Sequence, residues 1–522
     1  MPRQISVAAL HDMLQKVPGT FALLDVRETA EYNLSHIGGS CSLPRRLLEY
    51  RVGQLVPWRG ATVVVCDDDG VRANLAAGTL ESLGYTDLAV LTGGLNRWVT
   101  EGHPTEWGVN VPSKDFGEKV LLQQHVPEVE PDELASWLES GRKLIMLDSR
   151  TPEEHNRACI PGSRSMPGAE LGLRVWDLVP DTDTTVVVHC AGRTRSIIGA
   201  ATLQRLGVPN VYALKNGTMG WLLAGRQTEN GSQRLDLPEP SADGLALARG
   251  KARAVAETEG VRYVDAAEAQ SIVRRAGSET VYLMDVRTEA EYAAGHIPGF
   301  RWAPGGQAVQ ATDNYVAITH GTLLFVDDDN VRASMTAQWF RQMGHPNVFV
   351  LEGGLSAWRT AGLALETGPD SEAPEGLEAA RPTVEAVTPD ALSKQLGANA
   401  PAMVFVGTSE EFARGHVPGS HWIPRGWLEP RIADVAPQGS RVVVTCPDGV
   451  ASTLAASTLR DLGYDAAVLG GGLAAWTGAG MTLERGLTGV TSIPNDVLPA
   501  QRSYAEMHNY LRWEEELGHK YE

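Results

Sequence analysis

The residues best equipped for chemistry lie between Val186 and Gly199, where the chain reads VVVHCAGRTRSIIG. A β-branched strand runs into a helix through Cys190, Ala191, Gly192, Arg193, Thr194 and Arg195, with Ser196 following. A turn of this kind aims successive backbone N–H groups inward, and the helix behind it adds the positive end of its dipole. Arg193 and Arg195 add formal charge. Both influences favour a thiolate, so Cys190 is expected to be an activated nucleophile in an anion-binding cradle. Ala191, Gly192, Arg193, Thr194, Arg195 and Ser196 are the binding residues expected around it. The competing reading is a small buried apolar cysteine, against which stand the two arginines and the strand–loop–helix context. His189 precedes Cys190 in the strand and therefore faces the other way, as a core histidine rather than a base.

Composition bounds what such a site serves. The chain has 522 residues, 43% hydrophobic, enough for several ordinary globular cores. No apolar run approaches the roughly eighteen residues of a membrane span. A net charge of −19 excludes nucleic acid and anionic membrane surfaces as expected partners. A small anionic substrate then needs a local positive pocket, which the Cys190 loop offers. The N-terminus lacks a secretory apolar segment. Five scattered cysteines imply a reducing compartment, so the chain is expected to be cytoplasmic.

The elements that position the loop occur in four copies. Leu23–Gly39 (LLDVRETAEYNLSHIGG), Met146–Gly162 (MLDSRTPEEHNRACIPG), Leu283–Gly299 (LMDVRTEAEYAAGHIPG) and Met403–Gly419 (MVFVGTSEEFARGHVPG) each read as strand, polar turn and short acidic helix. A second strand and loop follow in each: TVVVCDDDGVRA, TVVVHCAGRTRS, TLLFVDDDNVRA and RVVVTCPDGVAS. A third strand ends in LTGGLNRW, LKNGTMGW, LEGGLSAW or LGGGLAAW. Alternating short strands and helices predict α/β units on a mainly parallel central sheet flanked by helices. The expected modules are 4–108, 126–226, 261–366 and 383–485, with a partly helical tail over 486–522. The first copy matches the third and the second matches the fourth, so the chain reads as a duplicated tandem pair.

Between modules the pattern lapses. Val109–Val126 reads as a linker, and Arg226–Val261 as a longer one containing a connecting helix. Glu366–Pro382 is acidic and proline-rich, a flexible linker by composition. In the tail, Met507, Tyr510, Leu511 and Trp513 have helical spacing and are expected to dock on a neighbouring domain.

These ordered pieces, repeated four times, resemble the rhodanese modules of the sulfurtransferase family. The resemblance implies that the cysteine loop carries a persulfide during turnover. Only the second module has the full loop, with Cys190 as nucleophile. The first and third have Asp67 and Asp327 in that place, and an aspartate cannot hold a sulfane sulfur, so both are expected to be silent. Arg72 and Arg332 stand where the second module has Arg195, which allows a structural role for this arginine. In the fourth module Cys446 is a second candidate nucleophile. Ala451 replaces the arginine there, Pro447 lacks an N–H and Asp448 adds negative charge, so Cys446 is expected to be less ionised than Cys190.

The implied reaction is transfer of sulfane sulfur from thiosulfate or a related small anionic donor to a thiol or cyanide acceptor, with no cofactor and no metal. Arg193 and Arg195 are expected to orient sulfonate oxygens. Arg193 reads alternatively as a solvated surface charge. A Cys-dependent phosphatase needs a loop one residue longer before its arginine, which speaks against that class. A non-enzymatic alternative is a scaffold or relay handing persulfide sulfur to a protein partner. Asp148–Arg150, repeated as Asp25–Arg27 and Asp285–Arg287, is expected to be a structural turn pair. Cys41, Cys66 and Cys159 are expected to be packing residues.

Overall fold

The computed structural model describes residues 2–370, 373–397, 400–490, 492–498 and 503–522. It contains four five-stranded parallel sheets, each with the strand order 1-5-4-2-3 counted along its own module. In the second module that order is Glu128–Val129, Val211–Leu214, Thr185–His189, Leu144–Asp148 and Arg164–Ser165. The central strand Thr185–His189 is buried along its whole length. Helices cover both faces of a parallel sheet, which is why the run TVVVH is continuous rather than alternating. The strand ends at the Cys190 loop, and the helix Thr194–Leu206 returns across the sheet.

The modules do not pair as sequential tandem halves. One compact unit combines the first and fourth modules, and the other combines the second and third with the C-terminal helix. Each unit therefore holds one aspartate loop and one cysteine loop.

The pairing has a local physical cause, in the segment after the third strand of each module. In the unit of the first and fourth modules, Arg45 meets Glu429 and Arg425 meets Glu49 in two reciprocal, largely buried ion pairs. In the other unit the corresponding segments meet through backbone. A Cβ on Gly306 would lie 2.9 Å from the Cα of Gly168, and one on Gly305 3.1 Å from the Cβ of Ala169. An arginine-bearing segment does not fit that close contact, and the one carboxylate of the Gly168–Arg174 helix, Glu170, is already engaged by Arg174 and by Arg332 of the third module. Removing one partner of such a pair leaves a buried charge uncompensated. Glu429→Ala should therefore destabilise its unit by about 3 kcal/mol, seen as a lowered midpoint in chemical denaturation.

Within the second unit a single hydrophobic cluster spans both modules. It includes Leu147, Val188, Ile197 and Leu203 of the second and Tyr282, Phe325, Trp339 and Phe340 of the third. The Trp339 indole N–H donates to Thr202 Oγ1 at 3.0 Å. The expected connecting helix is present as Ala242–Thr258, with Ala248, Ala252 and Ala256 buried. The segment read as a linker over Val109–Val126 is instead mostly the helix Val111–Gln123, with Phe116 and Val120 in the shared core. Its apolar positions are few and interrupted by Lys114, Glu118 and Lys119, which hid the helix in the sequence. In Glu366–Pro382, residues 371–372 lie outside the described residues, and Leu377–Ala380 is a short helix. Among the described residues no helix is long and apolar enough to cross a membrane.

Candidate functional site

The four strand-to-helix loops share one geometry. In the first module the Asp67 carboxylate accepts from the backbone N–H of Gly70 at 2.5 Å and of Ala73 at 3.1 Å. In the third, Asp327 accepts from Asn330 at 2.8 Å and Ala333 at 3.0 Å. In the fourth, Cys446 Sγ takes the same place, receiving the Gly449 N–H at 3.2 Å and the Ser452 N–H at 3.3 Å. The loop is thus a cradle for one acceptor atom, built from two N–H groups at the helix start, which favour negative charge against the burial that disfavours it. An aspartate side chain fills it in the first and third modules and the Cys446 thiol in the fourth, while in the second module Cys190 stands at the same place in the chain. Pro447 is not one of the two donors, so its missing N–H does not weaken the grip on Cys446.

Cys190 is 2% exposed and Cys446 1%. The Cys190 thiol lies 3.5 Å from Ser196 Oγ, whose own proton goes to the Arg193 carbonyl at 2.7 Å. Ser452 repeats this beside Cys446, with its hydroxyl 3.3 Å from the sulfur. The loop is braced by the turn after the strand Val211–Leu214. The Thr218 N–H donates to the Cys190 carbonyl at 2.8 Å and the Met219 N–H to that of Ala191 at 3.0 Å. Gly217 has φ 53°, and a Cβ there would fall 2.3 Å from the Cys190 carbonyl oxygen, which explains the Gly in this turn. Thr194 packs on Gly117 of the helix Val111–Gln123.

Burial pushes the Cys446 thiol up; the hydrogen bonds from Ser452 oppose the rise and Asp448 adds to it. The Cys446 S–H lies 3.4 Å from Asp448 Oδ1.

The arginines depart from expectation. Arg195 makes a paired contact with Glu154, at 2.6 and 2.9 Å. Arg72–Glu31 and Arg332–Glu291 repeat it in the aspartate modules. Burial works against the charge on Arg195, but Glu154, and after it the nearby Cys190 and Asp148, outweigh that and hold its proton. Arg195 is therefore both a structural pair member and a cation beside the thiol. Arg193 was expected to face a sulfonate or solvent. It is buried, and its guanidinium donates to Glu118 at 2.7 and 2.8 Å, to Asn216 at 3.1 Å and to Glu515 at 3.2 Å. Its side chain anchors the surrounding helices. The sequence signal for Glu154 was present, since Glu31, Glu291 and Glu411 recur in the same place. Glu118 and Glu515 had no such signal.

Asp148 and Arg150 form the expected turn pair, with Arg150 Nη2 2.7 Å from the carboxylate. His155 Nδ1 also approaches Asp148, at 2.9 Å. His189 is fully buried, and desolvation drives its imidazole down to about 4 against the raising effect of Asp148. Between its unfolded value of 6.5 and about 4, only the unfolded chain takes up this proton. Stability is thus fully present above pH 6.5 and is lost as pH falls through this window, by about 3 kcal/mol. In denaturant titrations His189→Leu should remove that slope; an unchanged difference between neutral and acid midpoints would contradict it. All five cysteines are buried thiols.

A cleft beside Arg195 is lined by Thr194 and Ile198 of the second module and by Gly305, Thr336 and Trp339 of the third. An aspartate module therefore builds a wall beside a cysteine module.

The fold, the repeated loops and the family comparison agree. The rhodanese-like domain model matches residues 6–101, 130–224, 266–361 and 388–479, and the chain belongs to that family. A crystal structure of thiosulfate sulfurtransferase from Pseudomonas aeruginosa is similar over 99% of this chain and 97% of its own. Its TM-score is 0.88 and its sequence identity 36%. SseB of Mycobacterium tuberculosis is 26% identical over 266 residues, 41% of this chain and 93% of SseB. Thiosulfate sulfurtransferase of Azotobacter vinelandii is 25% identical over 239 residues, 38% of this chain and 87% of that protein. These relationships support a sulfurtransferase of rhodanese type.

Proposed function

We propose that the protein moves sulfane sulfur from thiosulfate or a related small anionic donor to a thiol or cyanide, through a persulfide on Cys190. The observation that carries this reading is the shared loop geometry. Where two modules hold an aspartate carboxylate on a pair of N–H groups, the second module places a thiol, with the Arg195 cation beside it. Burial pushes both aspartates up and the backbone N–H groups oppose that rise; the same donors favour a thiolate and, after reaction, the terminal sulfur of a persulfide.

The Cys190 thiolate attacks the outer sulfur of the donor. The new S–S bond forms as the donor S–S bond breaks, and with thiosulfate the pair of electrons leaves on sulfite. An acceptor thiolate or cyanide then attacks the terminal persulfide sulfur and regenerates the Cys190 thiolate. The two half-reactions balance without an external oxidant and give ping-pong kinetics. Arg193 is held by Glu118 and Glu515 and Arg195 by Glu154, and of the two Arg195 is the cation beside the thiol, so it is the one assigned to the sulfonate. The first and third modules are silent walls. Cys446 is a second, slower nucleophile, because burial and Asp448 hold its proton.

Intact mass measured after incubation with thiosulfate tests the proposal. One added sulfur, removable by thiol and mapped to the Cys190 peptide, is expected. No gain in mass, or a gain mapped only to another cysteine, would refute it. Transfer to a partner protein but never to cyanide or a small thiol would favour the relay reading.

A further inference from the structure

Two of the tail residues expected to dock on a neighbouring domain, Tyr510 and Leu511, lie against the Cys190 loop. The helix Tyr504–Gly518 belongs to the same compact unit as the second and third modules and lies on the helix Val111–Gln123. Gly192, two residues past Cys190, faces it directly. A Cβ on Gly192 would lie 3.1 Å from Glu514 Oε2 and 3.6 Å from both Tyr510 Cε1 and Leu511 Cδ2. The Tyr510 hydroxyl donates to Glu514 Oε1 at 2.8 Å, and Glu514 Oε2 is buried with no hydrogen bond of its own. The Tyr510 ring thus lies against the Cys190 loop at Gly192, near enough for the charges on Cys190 and Arg195 to act on its hydroxyl.

The docking is largely polar. Glu515 accepts from Arg193, and the Lys114 ammonium sits about 5 Å from the ring centres of Tyr510 and Trp513. Beyond the helix, Lys520 pairs with Asp115 at 2.7 Å. Leu511 is the buried apolar contact of the helix. Arg193, in the nucleophile's own loop, is thus one of the groups that hold the helix down.

We infer that Tyr510 is a specificity-determining residue of the Cys190 site. With Glu514 it makes the C-terminal helix the outer wall of the loop, admitting small sulfur carriers and excluding the cysteine of a folded protein. The inference rests on Cys190 being the reactive thiol. It favours small-molecule acceptors over a protein relay, because a protein thiol reaches Cys190 only when the helix leaves the loop.

The test uses the full-length protein and reads alkylation of each cysteine peptide by mass spectrometry. Iodoacetamide is the small probe and a polymer-linked maleimide the large one. In the wild type, Cys190 should react with iodoacetamide and be protected from the polymer. Leu511→Asp, which undocks the helix, and Tyr510→Ala, which opens the wall while leaving Leu511 in place, should each raise the polymer rate at Cys190 about tenfold. Neither should change the ratio of the two probes at Cys446, which reports on the fold of the other unit. Equal polymer rates at Cys190 in wild type and both variants would overturn the inference. So would polymer labelling of wild-type Cys190 as fast as iodoacetamide labelling. Alkylation requires no sulfur transfer. If Cys190 proved dispensable for activity while the size selection held, the functional proposal would fail and the wall would stand.

Discussion

Replacing Cys190 by serine is expected to lower thiosulfate-dependent sulfur transfer about a hundredfold or more while leaving the fold unchanged. Serine is nearly isosteric, and its hydroxyl can reach Ser196 as the thiol does. It is not appreciably ionised at neutral pH and forms no persulfide. Cys446→Ser should cost much less, because burial and Asp448 keep that thiol protonated. The measurement is thiocyanate formation from thiosulfate and cyanide, with circular dichroism as the control for folding. Near wild-type activity in Cys190→Ser, combined with loss in Cys446→Ser, would reverse the assignment. Cys446 is the thiol seen gripped by two N–H groups, so the comparison weighs cradle geometry against local charge.

Cutting the chain after the second module is expected to be the other large perturbation. A fragment ending near Gly250 interrupts the helix Ala242–Thr258 and separates the second module from the third. It uncovers the faces of Ile197, Thr202 and Leu203 that lie in the shared core with Trp339 and Phe340. It also leaves Arg45 and Glu49 without Glu429 and Arg425. Exposing several large apolar side chains costs on the order of 5 kcal/mol, comparable to the whole stability of a typical domain. The fragment should unfold at much lower denaturant than the full chain and bind a hydrophobic dye. A cooperative transition near that of the full chain would show that the modules stand in sequential pairs after all.

The sequence pointed towards sequential halves because it records resemblance, and resemblance is not contact. The first module is most like the third, and the aspartate loops DDDGVRA and DDDNVRA share a composition. Packing instead follows the few residues at the meeting segments, Arg45 and Glu49 in one module against Gly168 and Gly172 in another. Those positions fall in an unremarkable turn and a short helix, where charge and small size have many local explanations.

What the sequence determined by itself is everything carried by local, repeated pattern. The parallel sheets follow from β-branched runs between polar turns, and the place of the cradle from strand-to-loop-to-helix punctuation, with an aspartate or a cysteine at its head. The tail helix follows from the spacing of Tyr510, Leu511 and Trp513. The tertiary structure alone decided which modules share a core, which N–H groups meet the sulfur, and what each arginine touches. An arginine in a glycine-rich loop reads the same whether its guanidinium will meet a sulfonate or a carboxylate. For Arg193 the deciding partners are Glu118 and Glu515, the second lying at the far end of the chain. Long-range contacts of this kind have no periodicity, because they are set by where folded elements come to rest rather than by the neighbours of each residue along the chain.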